Sequence, residues 1–149
     1  MGERFLRSMR LLAECSQEFA RRSQENLRRH TNLTSAQFDI IATLGNTPGM
    51  TFKELGEKTL ITKGTLTGVV DRLESRGLVT RVLQLEDRRS TIVRLTQAGE
   101  MEFLTVFATQ VAYDKQAFVD YREDDFEALE AQLTKLRMHL RRRAAGPID

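Results

Sequence analysis

Cysteine is almost missing from this 149-residue chain: Cys15 stands alone, so an intramolecular disulfide is excluded and the usage suits a reducing compartment. Histidine is nearly as scarce. His30 and His139 lie far apart, with no metal-ligand spacing to Cys15 or to paired carboxylates, so no metal site is expected. No Ser/His/Asp arrangement and no glycine-rich phosphate loop is present either, which leaves an enzyme without its constellation and gives no reason to expect a cofactor. No run of about 18 apolar residues occurs, so no membrane partner is expected. The opening "MGERFLRSMRLLAEC" is charged and helical in period, without the apolar core of a secretion signal, which points to the cytoplasm.

Net charge is also small, +2, but it is unevenly spread. Residues 51–99 hold nine Lys and Arg against six Asp and Glu, whereas residues 100–149 hold seven against ten. A basic middle is a weak hint of a polyanionic partner and needs a motif to support it.

The periodicity supplies an architecture. Apolar residues at helical spacing (Phe5, Met9, Leu12, Phe19, Leu27) predict one long helix over residues 3–29. "LTSAQF" starts a second, about Ser35 to Leu44, with Thr34 and Gln37 set as a capping box. In "TFKELGEKT", Thr51 and Glu54 repeat that box, with Phe52, Leu55 and Leu60 expected to face the core. "KGTLTGVVDRLESRG" follows as a helix: Thr62 is its cap, Leu66, Val69, Val70 and Leu73 its buried stripe, and Gly77 its left-handed stop. "LVTRVLQL" and "STIVRL" read as two strands around "EDRR", a tip with neither the Asn nor the Gly of a tight hairpin turn. Thr96 caps a fifth helix with Met101, Leu104, Phe107, Ala108 and Val111 on its apolar side. A sixth runs from the acidic "REDDF" to the basic "LRRRA", as a helix dipole favours, with Phe126, Leu129, Leu133, Leu136 and Leu140 stepping by 3, 4, 3, 4.

The expected fold is thus mainly α with a small β-hairpin wing. It is one domain over 1–149, with a winged helix–turn–helix at 34–100 flanked by helices at 1–32 and 101–149.

A helix entering the major groove needs small polar or basic residues on its early outward positions, where they reach base edges unhindered. Thr62, Lys63, Gly64, Thr65, Thr67 and Gly68 meet that need, and Arg72, farther along, suits a phosphate, as does Thr51. An amphipathic helix with a merely solvated face has the same pattern, and the hairpin tips the balance. Arg88 and Arg89 stand at its tip, where an arginine can enter a narrow minor groove, and Asp87 can orient a guanidinium.

These segments resemble the MarR (multiple antibiotic resistance regulator) family. "LTSAQFDIIATL", "TFKELGEKTLITKGTLTGVVDRLESRGLVTR" and "DRRSTIVRLTQAG" carry the likeness, including the D-x-R…L-T signature at Asp87, Arg89, Leu95 and Thr96. Gln84-Leu85 departs from the Asp-Pro of many members. The resemblance implies a sequence-specific transcriptional regulator, commonly a repressor, that binds a pseudo-palindromic double-stranded DNA operator. It also implies a homodimer joined through the helices at 1–32 and 101–149, and release by a small-molecule effector. Phe5, Met9 and Leu12 in the first helix and the stripe Phe126, Leu129, Leu133, Leu136 and Leu140 are the expected dimer contacts. Two competing expectations are a winged helix that docks a protein without reading DNA sequence, and a redox-sensing regulator acting through Cys15. A small, buried, inert side chain is the expectation preferred for Cys15.

Overall fold

A computed structural model describes residues 3–84 and 90–142, and its helices and strands follow the expected order. The chain divides into two compact units, Met1–Asp114 and Lys115–Asp149.

The first unit begins with α1 (Glu3–His30) and α2 (Ser35–Leu44). The Thr34 side chain accepts from the Gln37 N–H at 3.2 Å, and the Gln37 side chain accepts from the Thr34 N–H at 3.1 Å, so the capping box is complete. A two-residue strand β1 (Met50–Thr51) leads into α3 (Phe52–Lys58), then α4 (Lys63–Ser75), β2 (Val79–Leu83), β3 (Thr91–Leu95) and α5 (Gln97–Lys115). The hairpin strands gain a third member, for the sheet is antiparallel in the order β1-β3-β2, with Met50 and Arg81 both opposite Val93. α4 ends in a Schellman arrangement: Gly77 sits at φ +73°, its N–H donates to the Glu74 carbonyl, and the Leu78 N–H donates to the Leu73 carbonyl. Thr96 accepts from the Gly99 N–H at 3.1 Å and donates to the Gly77 carbonyl at 2.6 Å, which ties the start of α5 to the end of α4.

The core lies where α2, α3, α4 and the sheet meet, with Ile40, Leu55, Val70, Leu73 and Val93 fully buried. Leu27 from α1 and Phe103 and Val106 from α5 close it. Two expectations change here. Leu60 is not in the core: it is 99% exposed, because the link after α3 points it outward and turns the half-buried Ile61 inward. On α5 the side facing this core is Gly99, Phe103, Val106 and Gln110, whereas Met101, Leu104, Phe107 and Val111 are exposed. That helix is apolar nearly all round, so no single stripe could mark its inner face. Asn26 and Gln110 are buried together, the Asn26 amide donating to the Gln110 Oε1 at 2.8 Å and the Gln110 amide to the Ser23 Oγ at 2.7 Å.

The second unit holds a 3-10 turn (Gln116–Phe118) and α6 (Glu123–Arg141). Phe118, Tyr121 and Phe126 gather with ring centroids 5.2–5.5 Å apart, and the Asp125 carboxylate accepts from the Arg122 N–H at 2.8 Å to start α6. Among the described residues no helix is long and apolar enough to cross a membrane.

Candidate nucleic-acid interface

The first turns of α4 carry the expected outward residues. Thr62, Lys63, Gly64, Thr65, Thr67 and Arg72 are exposed and Gly68 is half-buried, while Leu66, Val69, Val70 and Leu73 are buried on the opposite side. Thr62 has N-cap backbone geometry, but its hydroxyl donates to the Thr65 Oγ1 at 3.1 Å instead of capping a backbone N–H. The two hydroxyls are therefore coupled, and the Thr65 proton remains available to an acceptor outside the helix. A Cβ built at Gly64 or Gly68 meets nothing within 4 Å among the described residues, so packing against them requires neither glycine.

Thr51 caps α3, its hydroxyl accepting from the Glu54 N–H at 3.1 Å; the return bond of a full capping box is not formed. A hydroxyl so engaged still has a proton to donate to a phosphate. Thr51 and Thr67 line one open cleft of about 500 Å³ with Phe52, Lys53, Arg81, Ser90 and Thr91, so α3, α4 and the base of the wing share a concave surface.

Sequence reasoning missed Arg81 and Lys53 in this cleft. Arg81 pairs with Asp71, lies 3.6 Å from Glu74, and sets its guanidinium 5.4 Å from the Phe52 ring centroid. It joins β2 to the outer side of α4. No local spacing could reveal the pairing, since it depends on how β2 folds back along α4. Arg76 fixes the other end of α4, donating to the Asn32 carbonyl at 2.9 Å and the Gln37 side chain at 3.1 Å.

Asp39 on α2 holds the link between α3 and α4, its carboxylate accepting from the Leu60 N–H at 3.2 Å. Half-burial raises the Asp39 pKa, and the hydrogen bond from Leu60 partly offsets the rise.

Asp87, Arg88 and Arg89 lie outside the described residues. Of the expected dimer contacts, Phe5, Met9, Leu12, Leu133, Leu136 and Leu140 are exposed, and Phe126 and Leu129 half-buried. Cys15 is exposed, contrary to the expected burial, as are its neighbours on α1 from Glu3 to Arg21.

A family model described as MarR family matches residues 33–91. The homoprotocatechuate degradative operon repressor of Escherichia coli is 31% identical over 112 residues, spanning 75% of this chain and 67% of that protein. AbsC, a MarR family transcriptional regulator from Streptomyces coelicolor, superposes with a TM-score of 0.81 at 26% identity, covering 90% of this chain and 92% of its own. A second regulator from that organism, solved in complex with DNA, gives a TM-score of 0.84 over 98% of this chain and 92% of its own; at 21% identity the likeness concerns the fold.

Proposed function

The chain belongs to the MarR family of transcriptional regulators, and from that premise we propose that it is a homodimeric repressor reading a pseudo-palindromic operator. The observation that carries the reading is the division of α4. Four aliphatic residues anchor it in the core, while Thr62, Lys63, Thr65 and Thr67 stand exposed beside the cleft of Thr51, Lys53 and Arg81. In this reading the α4 residues from Thr62 to Gly68 meet base edges, Thr51 and Arg72 hold phosphates, and Arg88 and Arg89, with Asp87 to orient them, work the minor groove.

Helices in residues 1–32 and 101–149 join two copies, so the operator's half-site centres lie about 10 bp apart. The proposal includes a small-molecule effector. Its support is a small cavity between α1 and α5, lined by Asn26, His30, Thr31, Thr105, Val106 and Gln110. At about 40 Å³ it has room for little more than water, so an effector has to widen it.

Gel shifts at several salt concentrations test the DNA reading. A duplex selected from a randomised pool is expected to bind at least about 10³-fold tighter than random duplex, with both affinities falling steeply in salt. Equal affinity for selected and random duplex would leave a winged helix that docks on charge alone.

A further inference from the structure

Leu60 belongs neither to the hydrophobic core nor to α4. It is 99% exposed, the highest value among the exposed large hydrophobic residues that the structure describes. Its neighbours on both sides are held: Thr59 is buried with its hydroxyl donating to the Leu55 carbonyl at 2.6 Å, and Ile61 packs against the core. Its own N–H is tied to Asp39 across to α2 at 3.2 Å. The backbone that carries Leu60 is therefore fixed from three directions while its side chain stays exposed. The position lies two residues before Thr62, the N-cap of α4, so the link that carries Leu60 leads directly into the residues proposed to enter the groove.

The exposed charges along the link favour a polyanion over an apolar protein partner, since the nearby Asp39 carboxylate is half-buried and taken up by the Leu60 N–H. Lys58 and Lys63 flank Leu60 and are exposed, with Glu57 the one exposed acid in residues 57–63. An isobutyl group between two lysines, on the approach of a recognition helix, matches the one apolar feature of the major groove, the thymine C5-methyl group.

We infer that Leu60, its backbone clamped to α2 through Asp39, is a specificity-determining residue that contacts a thymine methyl at the edge of each half-site. This rests on the DNA-binding reading above. Threonine hydroxyls on α4 and an apolar contact at Leu60 recognise different features, so the two readers address different base pairs. The clamp matters because a fixed backbone lets a side chain discriminate by position and not only by greasiness.

Thymine-to-uracil replacement tests this without touching the protein's fold, since it removes only the methyl group. Each thymine of the selected duplex is replaced singly by deoxyuridine, and affinities are measured for the wild type and Leu60→Ala, with thermal melts alongside. One replacement per half-site is expected to weaken the wild type about fourfold, the equivalent of about 0.8 kcal/mol for one buried methyl group. The same replacement should leave Leu60→Ala unaffected, while its effects elsewhere match the wild type. If no replacement weakens the wild type, or the weakening persists in Leu60→Ala, the inference is overturned. A wild type that selects no sequence at all overturns the DNA-binding reading itself, which separates the two failures.

Discussion

Gly64 and Gly68 sit inside α4, where glycine costs about 0.5–1 kcal/mol relative to alanine, yet among the described residues neither has a neighbour that an added Cβ would strike. Their presence disfavours the fold and leaves the backbone of the outward face bare. Gly64→Ala and Gly68→Ala should therefore each raise unfolding free energy in urea by about 0.5–1 kcal/mol. Both should weaken operator binding if the glycines let backbone approach DNA. Gly99 is the contrast: a Cβ there would lie 2.0 Å from the Leu78 carbonyl oxygen, and the backbone cannot yield cheaply. Gly99→Ala should lose about 1–3 kcal/mol in the same titration. Asp39 has a sign of its own. Its pKa is raised above the ordinary 3.8, so the folded state holds that proton more tightly than the unfolded state. Its contribution is favourable at low pH and is lost as pH rises through the folded pKa, leaving a half-buried charge that counts against stability at neutral pH. Asp39→Asn keeps an acceptor for the Leu60 N–H and removes the charge. It should melt higher than the wild type at pH 7, with the gap closing toward pH 4; a lower melting temperature at pH 7 would mean that the charge strengthens the Leu60 bond by more than its burial costs.

Between elements, Arg81 is the brace whose loss should be felt by both the wing and α4. Its side chain is 31% exposed, so the ion pairs to Asp71 and Glu74 are partly screened and are worth about 0–1 kcal/mol. Contact with the Phe52 ring adds about 0.5–1 kcal/mol. Arg81→Ala should cost about 1–2 kcal/mol in urea and should also reduce operator affinity, because the wing loses its fixed bearing on α4. A double-mutant cycle with Asp71→Ala should return a coupling of about 0.5–1 kcal/mol, and simple additivity would show that the pair does not brace the wing. The contrast between this brace and the caps explains what was legible beforehand. The Thr34–Gln37 box, the Gly77 stop and the α4 stripe are set by residues three to five apart, so spacing alone reveals them. Arg81 and Asp71 meet because β2 returns along α4, and the third strand appears because Met50 finds Val93 across the whole helix–turn–helix. Such pairings lie in the topology, not in any short window. Leu60 misled for a related reason: as an apolar residue after a helix it looked like core, and only the bonds holding Thr59, Ile61 and its own N–H determine which way it points.

At the scale of the whole molecule, what the protomer leaves uncovered is the argument for a second copy. On α1, Phe5, Met9 and Leu12 are exposed, with Met9 at 61% and Leu12 at 42%. Met101, Leu104, Phe107 and Val111 on α5 are exposed as well, and so are Leu133, Leu136 and Leu140 on α6. A monomer rarely keeps apolar surface on three helices in water, whereas a stable dimer interface buries about 1,200–2,000 Å² and calls for such surface. Exposure also makes the test clean. Replacing an exposed side chain in a true monomer changes stability by no more than about 0.5 kcal/mol, so charge placed at Met9 and Leu12 would pass almost unnoticed. In a dimer whose protomers are stabilised by association, the same charges are forced into an apolar contact and the melt depends on protein concentration. Met9→Asp with Leu12→Asp is therefore expected to shift sedimentation from dimer to monomer, lower the melting temperature and abolish tight operator binding together. Removing residues 122–149 should do the same, because it deletes the stripe on α6. Wild-type protein that sediments as a monomer, or a doubly charged variant whose melt and operator affinity are unchanged, would assign these faces to solvent and refute the dimer.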